Sequence, residues 1–270
     1  MAEPGAATVA APGRTAAPTT TTVEVTRPGT PGGPVRVTSA DGLLAVRTVS
    51  RGPDRAEVAL VATGAVLLGG DHVVVRVRVG AGCALRITDV GGTVAYDADG
   101  VPSRWDVEIE LDDDARLEWY GMPFVVCDGA DVARSTTARL GPRAGLVLRE
   151  TVVLGRHGER GGRVVVRSAV SDDTGPLLVE DVDVCGAAPV PGVLGGHRVL
   201  DTLSVLDGTD ERAGSDRSWS SGALAGALPA GATTMHLECG GTVTRWLGDA
   251  AHLSPIERRL GAGPPFLEER

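Results

Sequence analysis

Along residues 67–87 apolar and polar side chains alternate with a period of two. Val73, Val75, Val77 and Val79 fall on one side of an extended chain, His72, Arg76 and Arg78 on the other, and Val74 is the only break. That is the pattern of a half-buried strand. Gly80-Ala81-Gly82 then supplies a turn, glycine tolerating the backbone angles a tight reversal demands, and a second apolar run reaches Ile87. The unit returns at 105–119, where Val107, Ile109 and Leu111 alternate with Asp106, Glu108 and Glu110, and again at 136–150. Each copy holds two apolar residues on either side of a Gly, Asp or Pro turn: Val79 and Leu85, Leu111 and Leu117, Leu140 and Leu146. A strand–arch–strand module recurring about every thirty residues buries a continuous apolar face only by stacking. The fold expected is all-β in the main: a β-helix-like stack of many short strands with one or two short helices.

The same reading places strand-like pieces near 35–38, 43–49 and 58–68, and a short strand within the turn-rich 88–103. Residues 120–131 read as an apolar patch joined to a loop, 152–162 as a further strand entering a glycine-rich bend. A hairpin is expected from 163–170 and 176–184, a loop over 186–196, a strand over 199–206 and arch chemistry at 229–237. Short helices are expected at 215–226 and at 254–260, the latter with Ser254 as N-cap, Pro255 in the first helical position and Glu257 as N3. Residues 1–34, rich in Pro, Thr and Ala, read as a disordered tail, 35–260 as a single β-rich domain and 261–270 as a flexible tail.

Composition narrows the chemistry. The chain has 270 residues, 42% hydrophobic but only 3% aromatic, so Val, Leu and Ala must build the core. A net charge of -9 argues against nucleic acid or an anionic membrane surface as partner. Lys, Asn and Gln are absent, so all 26 positive charges are Arg. That excludes a Walker-type lysine, Schiff-base chemistry, Ser-Lys catalysis and an N-glycosylation acceptor. No segment resembles a signal peptide or a membrane span. Cys83, Cys127, Cys185 and Cys239 are too dispersed for a disulfide framework or a zinc knuckle, and the expected location is cytoplasmic.

Catalytic and metal patterns are equally sparse. His72, His157, His197, His236 and His252 never fall within four residues of one another, and no G-x-S-x-G occurs. Asp112 to Asp114 read as a solvated arch, since adjacent carboxylates in a turn do not converge. The glycine-rich 67–71 and 194–197 lack both the lysine and the following helix of a phosphate site, and read as tight turns.

Several stretches, in order and spacing, carry a resemblance: GAVLLGGDHVVVRVRVGAGCALRIT, ARLEW, RAGLVLRETVVLGRHGERGGR, GPLLVEDVDV and PVPGVLGGHRVLDTLSVLD. They resemble the urease accessory protein UreD (UreH) family, actinobacterial type, from about Ala56 to Leu206. The most distinctive pieces are Gly69, Gly70 and Asp71, and Leu154, Gly155, Arg156, Gly158 and Glu159. Residues 87–96 and the Tyr-Gly-Met-Pro at 120–123 depart from common family forms, and from Asp207 onward no family motif is legible.

The resemblance implies a β-helix-like fold and a non-enzymatic urease maturation scaffold or chaperone. Its implied partners are the urease apoprotein, UreF and, through the complex, the GTPase UreG, with a homodimer within that complex. It implies no tightly bound cofactor but Ni(II) in transit to the dinuclear urease site, internal passages having been proposed as a route in the family. Asp71, Glu118, Glu150 and Glu159 lie in matching motifs and are the candidate nickel-transit ligands. Acids beside glycine turns also serve simply to accept backbone hydrogen bonds. A carbohydrate-active β-helix enzyme and a plain β-sandwich binding module are the alternative readings.

Overall fold

The computed structural model of the chain describes residues 16–30, 32–209, 231–238 and 240–260. It opens with β1 (Thr19–Thr26), β2 (Arg36–Ala40), β3 (Leu44–Arg51) and β4 (Arg55–Ala62). The three repeated modules follow: β5 (His72–Val79) with β6 (Ala84–Asp89), β8 (Ser103–Leu111) with β9 (Arg116–Tyr120), and β11 (Asp131–Leu140) with β12 (Gly145–Leu154). Short β7 (Thr93–Ala95) and β10 (Phe124–Val126) link successive modules. The hairpin β13 (Arg163–Asp172) and β14 (Gly175–Cys185) comes next. Then come β15 (Val199–Asp207), β16 (Thr233–His236), β17 (Thr242–Gly248), a 3-10 turn at Ala251–Leu253 and the helix α1 (Pro255–Leu260).

Two sheets result. Sheet A has the order β14-β13-β11-β8-β5-β1-β2, and sheet B the order β16-β17-β15-β12-β9-β6-β4-β3. The first strands of the modules pair in parallel within sheet A and the second strands in parallel within sheet B, so the chain winds as a β-solenoid of about four turns. β7, β10 and the end of β12 form a narrow parallel strip along one corner. Parallel coils joined by arches exclude the plain antiparallel sandwich.

The repeated apolar pairs set the register. Val79 partners Leu111, which partners Leu140, in sheet A; Leu85 partners Leu117, which partners Leu146, in sheet B. All six are buried within one continuous core. Between them the arches repeat their backbone: Gly82, Asp114 and Arg143 occupy equivalent positions with φ of 61°, 56° and 56°. Asp114 and Arg143 tolerate this left-handed geometry while pairing across adjacent coils, Arg143 Nε donating to Asp114 Oδ1 at 2.7 Å. Cys83, Ala115 and Ala144, small and fully buried, follow at the same place in each arch.

Residues 19–26 correct the expectation of a disordered tail through position 34. β1 pairs in parallel with β5 and antiparallel with β2, Val23 and Val25 enter the core, and buried Thr21 donates from Oγ1 to the Leu44 carbonyl at 3.0 Å. The reason lies in TTTTVEVT itself, a β-branched alternating run set in a low-complexity context. The apolar patch at 120–131 contains β10, and the separate strand expected at 152 is the continuation of β12. The helix expected at 215–226 and the tail at 261–270 lie outside the described residues. At 254–260 the expected helix is present, and Ser254 Oγ accepts the backbone N–H of Ile256 at 3.1 Å, as an N-cap should.

Candidate functional site

The distinctive motifs fold two tight loops. Gly69 is needed for closeness, since a Cβ there would run into the Ala98 carbonyl oxygen, and Gly70 has φ 85°. Asp71 closes this turn by accepting the Leu68 N–H at 2.9 Å, which fixes the left-handed Leu67 beside it. In the second loop Glu159 accepts both the Arg156 N–H and its Nε at 2.9 Å, while Gly155 and Gly158 adopt φ of 72° and 83°. The Arg156 guanidinium, with the backbone N–H, lowers the Glu159 carboxyl to about 2. Arg198 then donates to the carbonyls of Leu154, Gly155 and Arg156 at 2.8 to 3.0 Å. Asp128 adds a further tie, accepting the N–H groups of Arg160 and Gly161 at 3.0 and 2.7 Å.

The four candidate carboxylates are not brought together. Asp71 and Glu159 belong to those two loops. Glu118 lies on the outer face of sheet B, where Arg86 Nε and Nη2 donate to its Oε2 at 3.1 and 2.7 Å. Glu150 points between the sheets and accepts from Arg134 Nε and Nη2 at 3.2 and 2.8 Å and from Thr136 Oγ1 at 2.9 Å. Among the described residues no three His, Cys, Asp or Glu side chains converge as a metal cage would require.

What sequence reasoning missed is the polar chamber around Glu150. Arg134 of β11 and Glu150 of β12 bridge the two sheets from within, and the guanidinium stacks 4.9 Å from the Phe124 ring centroid. The same small cavity, about 20 Å³ and so room for about one water, is lined by Asp89, Trp105, Trp119, Thr136 and Met122. Burial raises the Asp89 carboxyl above its ordinary range, although Trp119 Nε1 and the Met122 N–H both donate to it at 3.1 Å. Trp105 Nε1 is buried there with no protein acceptor. A signal existed: Asp89 continues the inward phase of Leu85 and Ile87, and Arg134 and Thr136 that of Val132 and Leu140.

On the outer face of sheet A, Asp106 accepts from Ser135 Oγ at 2.6 Å and lies 2.7 Å from His72 Nε2. Burial would raise the Asp106 carboxyl, but those two contacts outweigh it and hold the group below its usual value. The order is wrong for nucleophilic catalysis, because the carboxylate stands between the hydroxyl and the imidazole instead of the imidazole standing between them.

Fold and site together define a β-solenoid of stacked parallel coils whose charged side chains are largely spent on one another. A model of the UreD urease accessory protein family matches residues 24–254, from β1 to the cap of α1. The chain belongs to that family. It is 42% identical over 173 residues to urease accessory protein UreD 1 of Streptomyces griseus, covering 63% of this chain and 68% of that one. It is also similar to UreD of Streptomyces coelicolor, at 35% over 63% and 69% of the two chains, and to UreD 1 of Saccharopolyspora erythraea, at 35% over 70% and 77%. The family match extends well past Leu206, where legible motifs end. Among the described residues no helix is long and apolar enough to cross a membrane.

Proposed function

We propose that this chain is a urease maturation scaffold, which docks apo-urease together with UreF and, through the complex, the GTPase UreG, and so assists Ni(II) insertion in the cytoplasm. The observation that carries this reading is the family match over residues 24–254, from within β1 to the N-cap of α1. The protein acts by holding surfaces in register instead of by bond chemistry.

Nickel contacts with this chain are transient in this reading. Glu118, Glu150 and Glu159 are each bonded to an arginine and Asp71 to a backbone N–H, so a cation must displace a donor at each. Carboxylate oxygens met singly hold nickel weakly enough to release it. The polar chamber of Asp89, Arg134 and Glu150 supports an internal route only if the Arg134–Glu150 pair opens, since the cavity is about the size of one water.

Co-expression of apo-urease with its accessory proteins, with and without this chain, tests the reading through nickel content and urea hydrolysis of the purified urease. Loss of both without the chain is expected, and full metallation in its absence would sink the proposal. A nanomolar nickel site in the isolated chain, found by calorimetry, would overturn the transient-contact part alone.

A further inference from the structure

The register of sheet B leaves a gap between two inward-facing acids. Thr88 pairs with Tyr120 and Tyr120 with Arg149, so Asp89, Gly121 and Glu150 come next in one row, where the Gly121 N–H still donates to the Arg149 carbonyl at 3.1 Å. Gly121 puts no side chain between the two carboxylates. None fits there either, since a Cβ would lie 2.7 Å from the Arg149 carbonyl oxygen. In sheet A the register pairs Trp105 with Arg134 and Val107 with Thr136. The small chamber between the sheets therefore has acids on one wall and N–H and O–H donors on the other.

Two groups in that chamber have bonding capacity to spare. The bonds that Arg134 and Thr136 donate to Glu150 all end on Oε1, which leaves Oε2 to accept another. Trp105 is only 5% exposed, and its buried Nε1 has no protein acceptor. A buried donor left in that condition carries the whole cost of its desolvation, with nothing gained in return.

We propose that the chamber is a binding site for a single water molecule, which accepts the Trp105 indole N–H and donates to the carboxylates of Asp89 and Glu150. Size and polarity both select this ligand. About 20 Å³ admits one water and nothing larger. A metal cation would face the Arg134 guanidinium and the indole N–H, and a chloride would face two carboxylates. Water accepts from one wall while it donates to the other. Bound there, it forms a second polar bridge across the interior beside the Arg134–Glu150 pair, and it ties β8 of sheet A to β6 and β12 of sheet B, with which β8 shares no ladder.

A crystal structure of the full chain, at a resolution that shows ordered solvent, tests the site directly. One water is expected within about 3.2 Å of Trp105 Nε1, of an Asp89 oxygen and of a Glu150 oxygen. A metal or chloride at that position, a protein acceptor on Nε1 or a dry chamber would overturn the proposal. In solution, ultraviolet resonance Raman difference spectra between wild type and Trp105→Phe isolate the Trp105 indole. Its N–H is expected at the frequency of a hydrogen-bonded indole, and the frequency of an unbonded one would refute the site. If the variant does not fold, the wild-type crystal decides alone.

Discussion

Leu85 and Leu117 are Cα partners on adjacent coils of sheet B, and neither exposes any surface. They hold the same place in two repeats, so the spacing of the repeats and the register of the sheet are one fact. Leu117→Ala leaves a cavity between coils that parallel neighbours cannot close, and should cost about 3 kcal/mol. Chemical denaturation measures this. Glu108→Ala on the exposed outer face, where Arg76 is its partner at 2.6 Å, should change stability by less than about 1 kcal/mol.

The bridge inside the coil behaves differently from the surface ladder. Glu150→Ala strands the Arg134 guanidinium in the interior, at a cost of about 3–5 kcal/mol. Replacing both, as Arg134→Met with Glu150→Leu, should recover most of that loss. If the double variant is no more stable than Glu150→Ala in urea titrations, then the bridge is not the source of the effect.

Acid should loosen the β13–β14 hairpin through Asp172. Burial would raise this carboxyl, but bonds from Thr209 and Thr174 outweigh it and lower the group to about 2. A carboxylate held below its unfolded value stabilises the fold above that value, and the contribution fades as pH falls through the folded one. Asp172→Ala should therefore cost about 2 kcal/mol at neutral pH and flatten the decline in stability between about pH 5 and pH 2. Thermal melts across that range check both the size and the sign.

Gly69→Ala should be poorly tolerated although its φ is ordinary, because the new methyl would meet the Ala98 carbonyl and push β5 away from the turn before β8. A loss of about 1–3 kcal/mol is expected. Gly64→Ala, with open space around it, should be nearly neutral in the same denaturation assay.

From the sequence alone one could determine the repeating unit, the stacked apolar pairs and the arches, because each depends on period-two alternation and on turn residues close together in the chain. Family membership was legible in the same stretches. The strand at 19–26 was hidden because its β-branched alternation sits in a tail of Pro, Thr and Ala, and only its pairing with β5 distinguishes it. Tertiary structure alone decided what the charges do. Glu118 and Glu150 read alike along the chain, yet one faces outward to Arg86 and the other inward to Arg134, and Asp201 vanishes beneath a helix that begins more than fifty residues later. Alternation says which residues share a face, but the partner that compensates a charge comes from another coil, and winding the chain is what brings it there.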